Sequence, residues 1–162
     1  MKIHTLSKRE SREVFERLNR LWPVKIARPF PIEAQVVDEN RSILVSKEFA
    51  IVKDNELLLP FLRREDTVAQ FPRVVVDQGA VPFLCNGADV MRPGIVRFEG
   101  SFSKDDIVAV QEARHGKFIA VGVALIDSEE ASSSSKGPVL MNLHFVGDKF
   151  WEASRSVLPR SM

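Results

Sequence analysis

The sequence predicts an α+β fold, in which a small N-terminal α/β domain with an antiparallel sheet precedes a second, strand-rich half. Three observations support this prediction. An amphipathic helix opens the chain, strand-like runs follow it to about residue 61, and a glycine-rich segment at 76–94 interrupts the later strands. The 162 residues are 44% hydrophobic, which is enough to form one core or two small ones.

The first predicted element is a helix that begins at a capping box. Ser7 and Glu10 have the spacing at which each side chain caps the other residue's amide. Pro23 ends the helix because it disfavours the α conformation at the residue before it. The apolar residues between these signals fall at helical spacing on one face: Val14, Phe15, Leu18, Leu21 and Trp22.

Strands follow the helix. The β-rich runs are 34–38, 42–46, 49–53 and 56–60, and Asp54-Asn55 suits a two-residue hairpin turn with positive φ. The segment 63–71 predicts a short helix, which Pro72 ends. The boundary between the two halves is expected near residues 70–73.

The second half begins with a glycine-rich segment. It predicts a strand at 73–76, a tight turn, a helical run at 80–85 and then a loop built on Gly87-Ala88 and Pro93-Gly94. Such a loop is expected to offer bare amide groups beside one cation, Arg92, and therefore to seat a phosphate or a base edge. Further along, 97–103 and 132–135 are expected to be loops, and His115-Gly116 a hairpin turn.

Four sequence motifs occur in the order found in the PUA domain. They are DQGA at 77–80, GADV at 87–90, PGI at 93–95 and LHFVGDKFW at 143–151. The chain thus resembles this RNA-binding module of pseudouridine synthases and archaeosine transglycosylases. The resemblance implies an N-terminal pre-PUA domain at 1–71, a PUA-type mixed β-barrel at 72–155 and a flexible tail at 156–162.

The arrangement of a small N-terminal domain before a PUA domain resembles a narrower family. This is the malignant T-cell amplified protein family of eukaryotes with its archaeal counterparts, and segments 23–28 and 55–58 match its N-terminal pattern loosely. The resemblance implies association with the small ribosomal subunit and the handling of tRNA during initiation, reinitiation or recycling. It also implies a protein partner for the N-terminal domain.

The PUA resemblance indicates which residues would contact RNA. These are Gly79, Asn86, Gly87, Ala88, Asp89, Val90, Met91, Arg92, His144 and Lys149. Arg92 is the first choice because a guanidinium can hold a phosphate with two donors. The alternative is that the glycines only shape a tight loop. A candidate inter-domain basic groove contains Arg63, Arg64 and Arg73. The aromatic residues at 145, 150 and 151 are expected to lie at the end of the last strand and to pack in the core.

Composition and missing motifs restrict the function classes. A net charge of +1 argues against a protein that coats nucleic acid through bulk charge, and a single cysteine, Cys85, excludes an intramolecular disulfide. No catalytic or nucleotide-binding motif occurs, so we expect no catalytic residues, metal or cofactor and no enzyme activity. No apolar run approaches the length that spans a membrane, and we expect a cytoplasmic protein.

The sequence therefore predicts an RNA-binding protein, a ribosome-associated factor that contacts small-subunit rRNA or tRNA. Two alternatives stay open at this point. One is an RNA-binding accessory subunit of a tRNA- or rRNA-modifying enzyme. The other is a protein–protein adaptor that uses the N-terminal domain and binds no RNA.

Overall fold

Two β-sheets form the protein, one from each half of the chain. The structure is a computed structural model that describes residues 2–23, 25–26 and 31–154; the tail predicted at 156–162 lies outside the described residues, as does part of segment 23–28. The N-terminal sheet is a five-stranded antiparallel meander. Its strands, in spatial and chain order, are β1 (Lys2–Thr5), β2 (Glu33–Val36), β3 (Arg41–Val45), β4 (Ala50–Asp54) and β5 (Leu57–Pro60).

The helix predicted at the start of the chain is confirmed as α1 (Lys8–Leu21). Ser7 Oγ accepts from the Glu10 amide at 3.1 Å, and Glu10 Oε2 accepts from the Ser7 amide at 2.8 Å. The helix buries Val14 and Leu18 in the N-terminal core, and after it Trp22 donates its indole N–H to the Leu58 carbonyl at 3.0 Å. This bond fastens the end of the helix to β5.

The four predicted strands are present, and a fifth precedes them. The hairpin turn between β4 and β5 is Asn55-Glu56, one residue later than predicted, and Asn55 has the expected positive φ of 53°. Strand β1 was not predicted, because its four residues are all exposed and show no apolar alternation. It forms through its antiparallel pairing with β2.

The C-terminal sheet is curled and mixed, which confirms the predicted fold class. Its spatial order is β7-β11-β10-β9-β6-β8, and β6 and β9 are its parallel pair. The strands are β6 (Arg73–Val76), β7 (Val90–Met91), β8 (Ile95–Glu99), β9 (Ile107–Glu112), β10 (Phe118–Ala124) and β11 (Pro138–Phe145). Four short helices accompany the sheets: α2 (Glu65–Val68), α3 (Val81–Leu84), α4 (Ser128–Ser133) and α5 (Lys149–Ser154).

Three sequence predictions for this half are wrong. The first residues of segment 97–103 belong to β8, where they pair with β6. Segment 132–135 is predicted to be a loop, but residues 132 and 133 end helix α4. The start of this helix is held by the Ser128 hydroxyl, which accepts from the Phe102 amide at 3.0 Å. The aromatic residues at 150 and 151 lie on α5 and not on the last strand.

One apolar core continues across the junction of the two sheets. Ala109, Val121 and Phe150 from the C-terminal half pack in the same buried cluster as Leu18 and the N-terminal strands. A second cluster fills the C-terminal sheet behind α3, and half-buried Cys85 packs against it. Burial raises the pKa of the Cys85 thiol, which fits a cysteine that packs as a small hydrophobic residue.

Candidate functional site

The candidate site centres on the segment between α3 and β8, and we call residues 86–92 the glycine loop. The amides of its first three residues are not bare, contrary to the sequence-based expectation. The Asn86 and Ala88 amides donate to the Phe83 carbonyl at 3.1 and 3.0 Å, and the Gly87 amide donates to the Leu84 carbonyl at 3.1 Å. These bonds satisfy the carbonyl end of α3, so the loop presents its outer atoms and side chains rather than a nest of free donors.

Asn142 on β11 holds the glycine loop in place. Its side-chain amide donates to the Leu84 carbonyl at 3.0 Å and to the Ala88 carbonyl at 2.9 Å. Its backbone amide donates to Asp89 Oδ1 at 3.0 Å. Three hydrogen bonds from one residue therefore tie the loop to the sheet, and Asp89 serves this structural purpose.

Replacing Asn142 with aspartate should release the loop. The new carboxylate oxygen would face two carbonyl oxygens that lose their donor, which costs about 2 kcal/mol of the free energy of unfolding. Thermal unfolding would measure the loss, and hydrogen exchange should quicken at residues 86–88. Asn86→Asp is the matched control, since Asn86 is exposed on the same loop. Equal effects of the two variants would contradict this role of Asn142.

The guanidinium of Arg92 is used inside the protein. Its Nε donates to the Ala131 carbonyl at 2.7 Å, its Nη1 donates to the Ile95 carbonyl at 3.2 Å, and it lies 5.3 Å from the centre of the Phe98 ring. We expected the two guanidinium donors of Arg92 to hold a phosphate. In the structure they bond the glycine loop to α4 and β8 instead.

His144 is fully buried, which corrects the expectation that it contacts RNA. Neighbouring side chains on a strand point to opposite faces of the sheet, and His144 and Phe145 are such neighbours. The Phe145 ring lies against the glycine loop, 3.6 Å from where a β-carbon on Gly87 would stand. His144 points instead to the N-terminal sheet, where its Nε2 accepts from the Leu62 amide at 3.1 Å.

Asp148 completes the bonding of His144. The Nδ1 atom of His144 lies 2.8 Å from Asp148 Oδ2, and because Nε2 accepts, Nδ1 carries the proton and donates it to this carboxylate. Asp148 also accepts from the Phe145 and Trp151 amides, both at 2.9 Å. Asp148 therefore bonds to the backbone of its own turn as well as to His144.

The remaining predicted contacts do not all face one surface. Val90 is buried in the C-terminal core, while Met91 is exposed. Gly79 is exposed in the turn before α3, where Asp77 caps the Ala80 amide. Lys149 is exposed at the start of α5, 4.0 Å from Asp38 Oδ2 of the N-terminal half, and so lies at the junction of the two sheets.

Phe83 is a surface feature that the sequence did not reveal. It lies on α3, directly before the glycine loop, and 69% of it is exposed. A large aromatic side chain this exposed is unusual, and beside a rigid loop it can stack on a base. The apolar run around it suggested a core position, and only the orientation of the short helix shows otherwise.

Arg63 and Arg64 lie together at the junction, but Arg73 does not join them. The two arginines line a groove of about 750 Å³ with Lys47 and Trp151. The Arg63 guanidinium stacks 3.8 Å from the centre of the Trp151 ring, and Arg64 pairs with Asp66 at 3.4 Å. Arg73 pairs instead with Glu99 at 3.0 Å on the neighbouring strand. Of the three residues predicted for the basic groove, Arg63 and Arg64 therefore line it and Arg73 does not.

Residues 2–23, 25–26 and 31–154 contain neither a metal-binding cluster nor a membrane-spanning helix. In these ranges no three His, Cys, Asp or Glu side chains come together in a group that could hold a metal ion. The helices within them are also too short or too polar to cross a membrane.

Sequence comparison finds two kinds of match: some known proteins share only the C-terminal half of this chain, and others share most of its length. Residues 72–146 match the family model of the PUA domain. An uncharacterized protein of Methanocaldococcus jannaschii is 38% identical over 145 residues, which is 89% of this chain and 87% of that protein. Translation machinery-associated protein 20 of Eremothecium gossypii is 28% identical over 136 residues, covering 78% of this chain and 75% of the relative.

Structural similarity extends over both sheets. The solved structure of a conserved PUA domain protein from Thermoplasma acidophilum superposes with a TM-score of 0.73 at 28% identity, covering 94% of this chain and 99% of that one. A probable tRNA pseudouridine synthase B of Pyrobaculum calidifontis is 41% identical over 83 residues, but these are 51% of this chain and 24% of the enzyme. The matches that span most of the chain decide the assignment: this chain belongs to the family of PUA-domain proteins that includes translation machinery-associated protein 20 and its archaeal counterparts.

Proposed function

We propose that the protein binds RNA through the surface formed by the glycine loop and Phe83, and that it acts as a ribosome-associated factor in the cytoplasm. Its target would be small-subunit rRNA or tRNA. The observation that carries the proposal is the similarity to a translation machinery-associated protein over 78% of this chain, whereas the pseudouridine synthase shares only the PUA part. We keep the predicted boundary between residues 71 and 72 as part of this proposal.

The geometry supports RNA binding by two means. Asn142 fixes the glycine loop before any ligand arrives, so little conformational entropy is lost when a ligand binds. Phe83 offers an exposed ring, and every base has a face on which such a ring can stack. Asn86, exposed three residues after Phe83, adds a side-chain donor and acceptor.

Sedimentation with purified small and large ribosomal subunits tests the proposal, in parallel with binding of fluorescein-labelled tRNA. We expect selective binding to the small subunit or to tRNA, weakened by added salt. Phe83→Ala should weaken the binding about tenfold, because stacking contributes about 1–3 kcal/mol per base. Leu21→Ala, which shortens another exposed apolar side chain, is the control and should leave binding unchanged.

A wild-type protein that binds neither subunit nor tRNA would contradict the proposal. Unchanged binding by the Phe83 variant would remove Phe83 from the site while leaving the function in place. Circular dichroism should show both variants folded, since neither side chain belongs to a buried core.

The second candidate function is that of an accessory subunit of an RNA-modifying enzyme. It is favoured by the 41% identity between the PUA part of this chain and that of a probable tRNA pseudouridine synthase B. Affinity purification from cell extract distinguishes the two. Ribosomal proteins in the eluate would support the first candidate, and a catalytic subunit of a modifying enzyme would support the second.

A protein partner for the N-terminal half is part of the first candidate. Strand β1 forms the outer edge of the N-terminal sheet, and Ile3 on it is exposed. An open edge strand can pair with a strand of another protein.

A further inference from the structure

The hairpin between β9 and β10 carries three basic side chains on four residues. We call Arg114, His115, Gly116 and Lys117 the basic hairpin. All four residues are exposed. Within the described part of the chain, the side chains of Arg114, His115 and Lys117 form no hydrogen bond and no ion pair.

A buried carboxylate holds the backbone of this hairpin in place. Glu112 is only 3% exposed. Its Oε1 accepts from the His115 amide at 2.7 Å and from the Lys117 amide at 3.1 Å, and its Oε2 accepts from the Arg114 amide at 2.9 Å. On the other side, Gln111 donates its side-chain amide to the Gly116 carbonyl at 2.8 Å.

Glu112 is ionised at neutral pH in this position. Burial raises the pKa of a carboxyl group, but here the three backbone amides, with a smaller contribution from His115, lower the pKa of Glu112 by more than burial raises it. Its charge is thus stabilised mainly by backbone donors rather than by the basic side chains. Those side chains stay available to an outside anion.

The basic hairpin emerges beside the start of the candidate site. In the parallel pairing of β6 with β9, Glu112 lies opposite Val76, and the Ala113 amide donates to the Val76 carbonyl at 2.8 Å. The chain continues from Val76 through the turn at Gln78–Ala80 into α3 and the glycine loop. The hairpin and the first contacts predicted for RNA therefore leave the sheet at the same end.

Among the described residues, those of the candidate site offer no free cation. Phe83, Asn86 and Met91 are uncharged, and Arg92 is bonded to two carbonyls inside the fold. RNA-binding surfaces draw much of their affinity from contacts between cations and phosphates. A source of positive charge close to the loop is therefore needed.

We propose that the basic hairpin binds RNA phosphates next to the glycine loop, with Glu112 as the positioning residue that holds it in shape. This inference rests on the proposed function and adds a second contact surface to it. Arg114 can hold a phosphate with two donors, and Lys117 contributes a compact charge.

A double charge reversal tests the hairpin. Arg114→Glu with Lys117→Glu should weaken binding of fluorescein-labelled tRNA, and of purified small subunits, at least tenfold at about 0.1 M salt. The slope of log Kd against log salt concentration should fall by about 2, one for each lost phosphate contact. The matched control is Arg12→Glu with Lys104→Glu, which changes the net charge equally. Arg12 is on α1, and Lys104 precedes β9 at the end opposite the hairpin.

The outcomes separate this inference from the proposed function. If wild-type protein binds and the hairpin variant loses no more affinity than the control, the hairpin proposal is wrong and the proposed function stands. If wild-type protein binds neither tRNA nor the small subunit, both are wrong. A loss confined to the hairpin variant supports both.

Glu112→Gln tests the positioning role through the sign of its effect. The variant removes a negative charge, so a purely electrostatic role of Glu112 predicts tighter RNA binding. A positioning role predicts severalfold weaker binding, because the new side-chain NH2 group replaces one acceptor of the hairpin amides. Hydrogen exchange should then quicken at residues 114, 115 and 117. Tighter binding, or unchanged exchange at these amides, would overturn the assignment.

Discussion

Replacing Gly122 with alanine is expected to prevent stable folding of the C-terminal sheet. Gly122 is buried on β10, between β9 and β11, where the register with β11 shifts. A β-carbon at this position would stand 2.2 Å from the Met141 carbonyl oxygen and 3.1 Å from its carbon. Both atoms belong to the backbone of a central strand, so they cannot move aside without separating β10 from β11.

The expected cost exceeds about 3 kcal/mol of the free energy of unfolding, which is more than most core substitutions cost. For a chain of this size the melting temperature would fall by about 6–12 °C, or no folded protein would be recovered. Chemical and thermal denaturation would measure the loss. RNA binding should fail with it, because Met141 precedes Asn142, the residue that holds the glycine loop.

Gly94→Ala is the matched control for this change. A β-carbon on Gly94 would meet the Ala80 β-carbon at 3.5 Å, an ordinary contact, and Gly94 is not among the glycines with positive φ. Its stability should change by less than about 1 kcal/mol. A Gly122 variant that melts within a degree or two of this control would show that β10 and β11 separate at little cost, which would contradict the expected clash.

Replacing His144 with phenylalanine is expected to weaken the junction between the two sheets. The imidazole ring lies 5.6 Å from the centre of the Phe61 ring and 5.5 Å from that of Phe150. A phenyl ring can keep these contacts in part. It has no acceptor for the Leu62 amide and no donor for Asp148, so a buried N–H group and a buried carboxylate each lose a partner.

The free energy of unfolding should fall by about 2–4 kcal/mol, because unpaired buried polar groups carry their full desolvation cost. Calorimetry should also show a broadened or split transition, since the halves of the chain are less firmly joined. His115→Phe is the control: the same replacement on the exposed basic hairpin should change stability by no more than about 0.5 kcal/mol. Equal melting temperatures for the two variants would contradict a joining role of His144.

Local sequence determined much of the fold. The capping box and the apolar stripe of α1 are local signals, and the helix forms where they place it. The ordered motifs at 77–95 and 143–151 are sufficient to identify the PUA part. The capping box and the apolar stripe depend on residues that are close in the chain, and the ordered motifs are typical of one fold. Both kinds of signal can therefore be recognised in a single sequence.

The candidate site was determined only in part. The sequence located the glycine loop, and it predicted free amides there and a free Arg92 guanidinium. In the structure, the amides of residues 86–88 and the Arg92 guanidinium donate to neighbouring carbonyls. Whether a donor is free depends on which acceptor comes close in three dimensions. Periodicity carries no information on that point.

The tertiary structure alone decided which polar residues join the halves and which face outward. His144 and Leu62 are 82 positions apart, and the bond between them exists because β11 turns His144 toward the N-terminal sheet and the adjacent Phe145 toward the glycine loop. Glu112 looks in sequence like one more surface charge, yet its carboxylate is buried and holds the basic hairpin. Sequence alone therefore determined the family, the first helix with the four strands that follow it, and the position of the loop. Burial and long-range hydrogen bonding, which arise only when distant segments pack, decided which side chains remain available to a ligand.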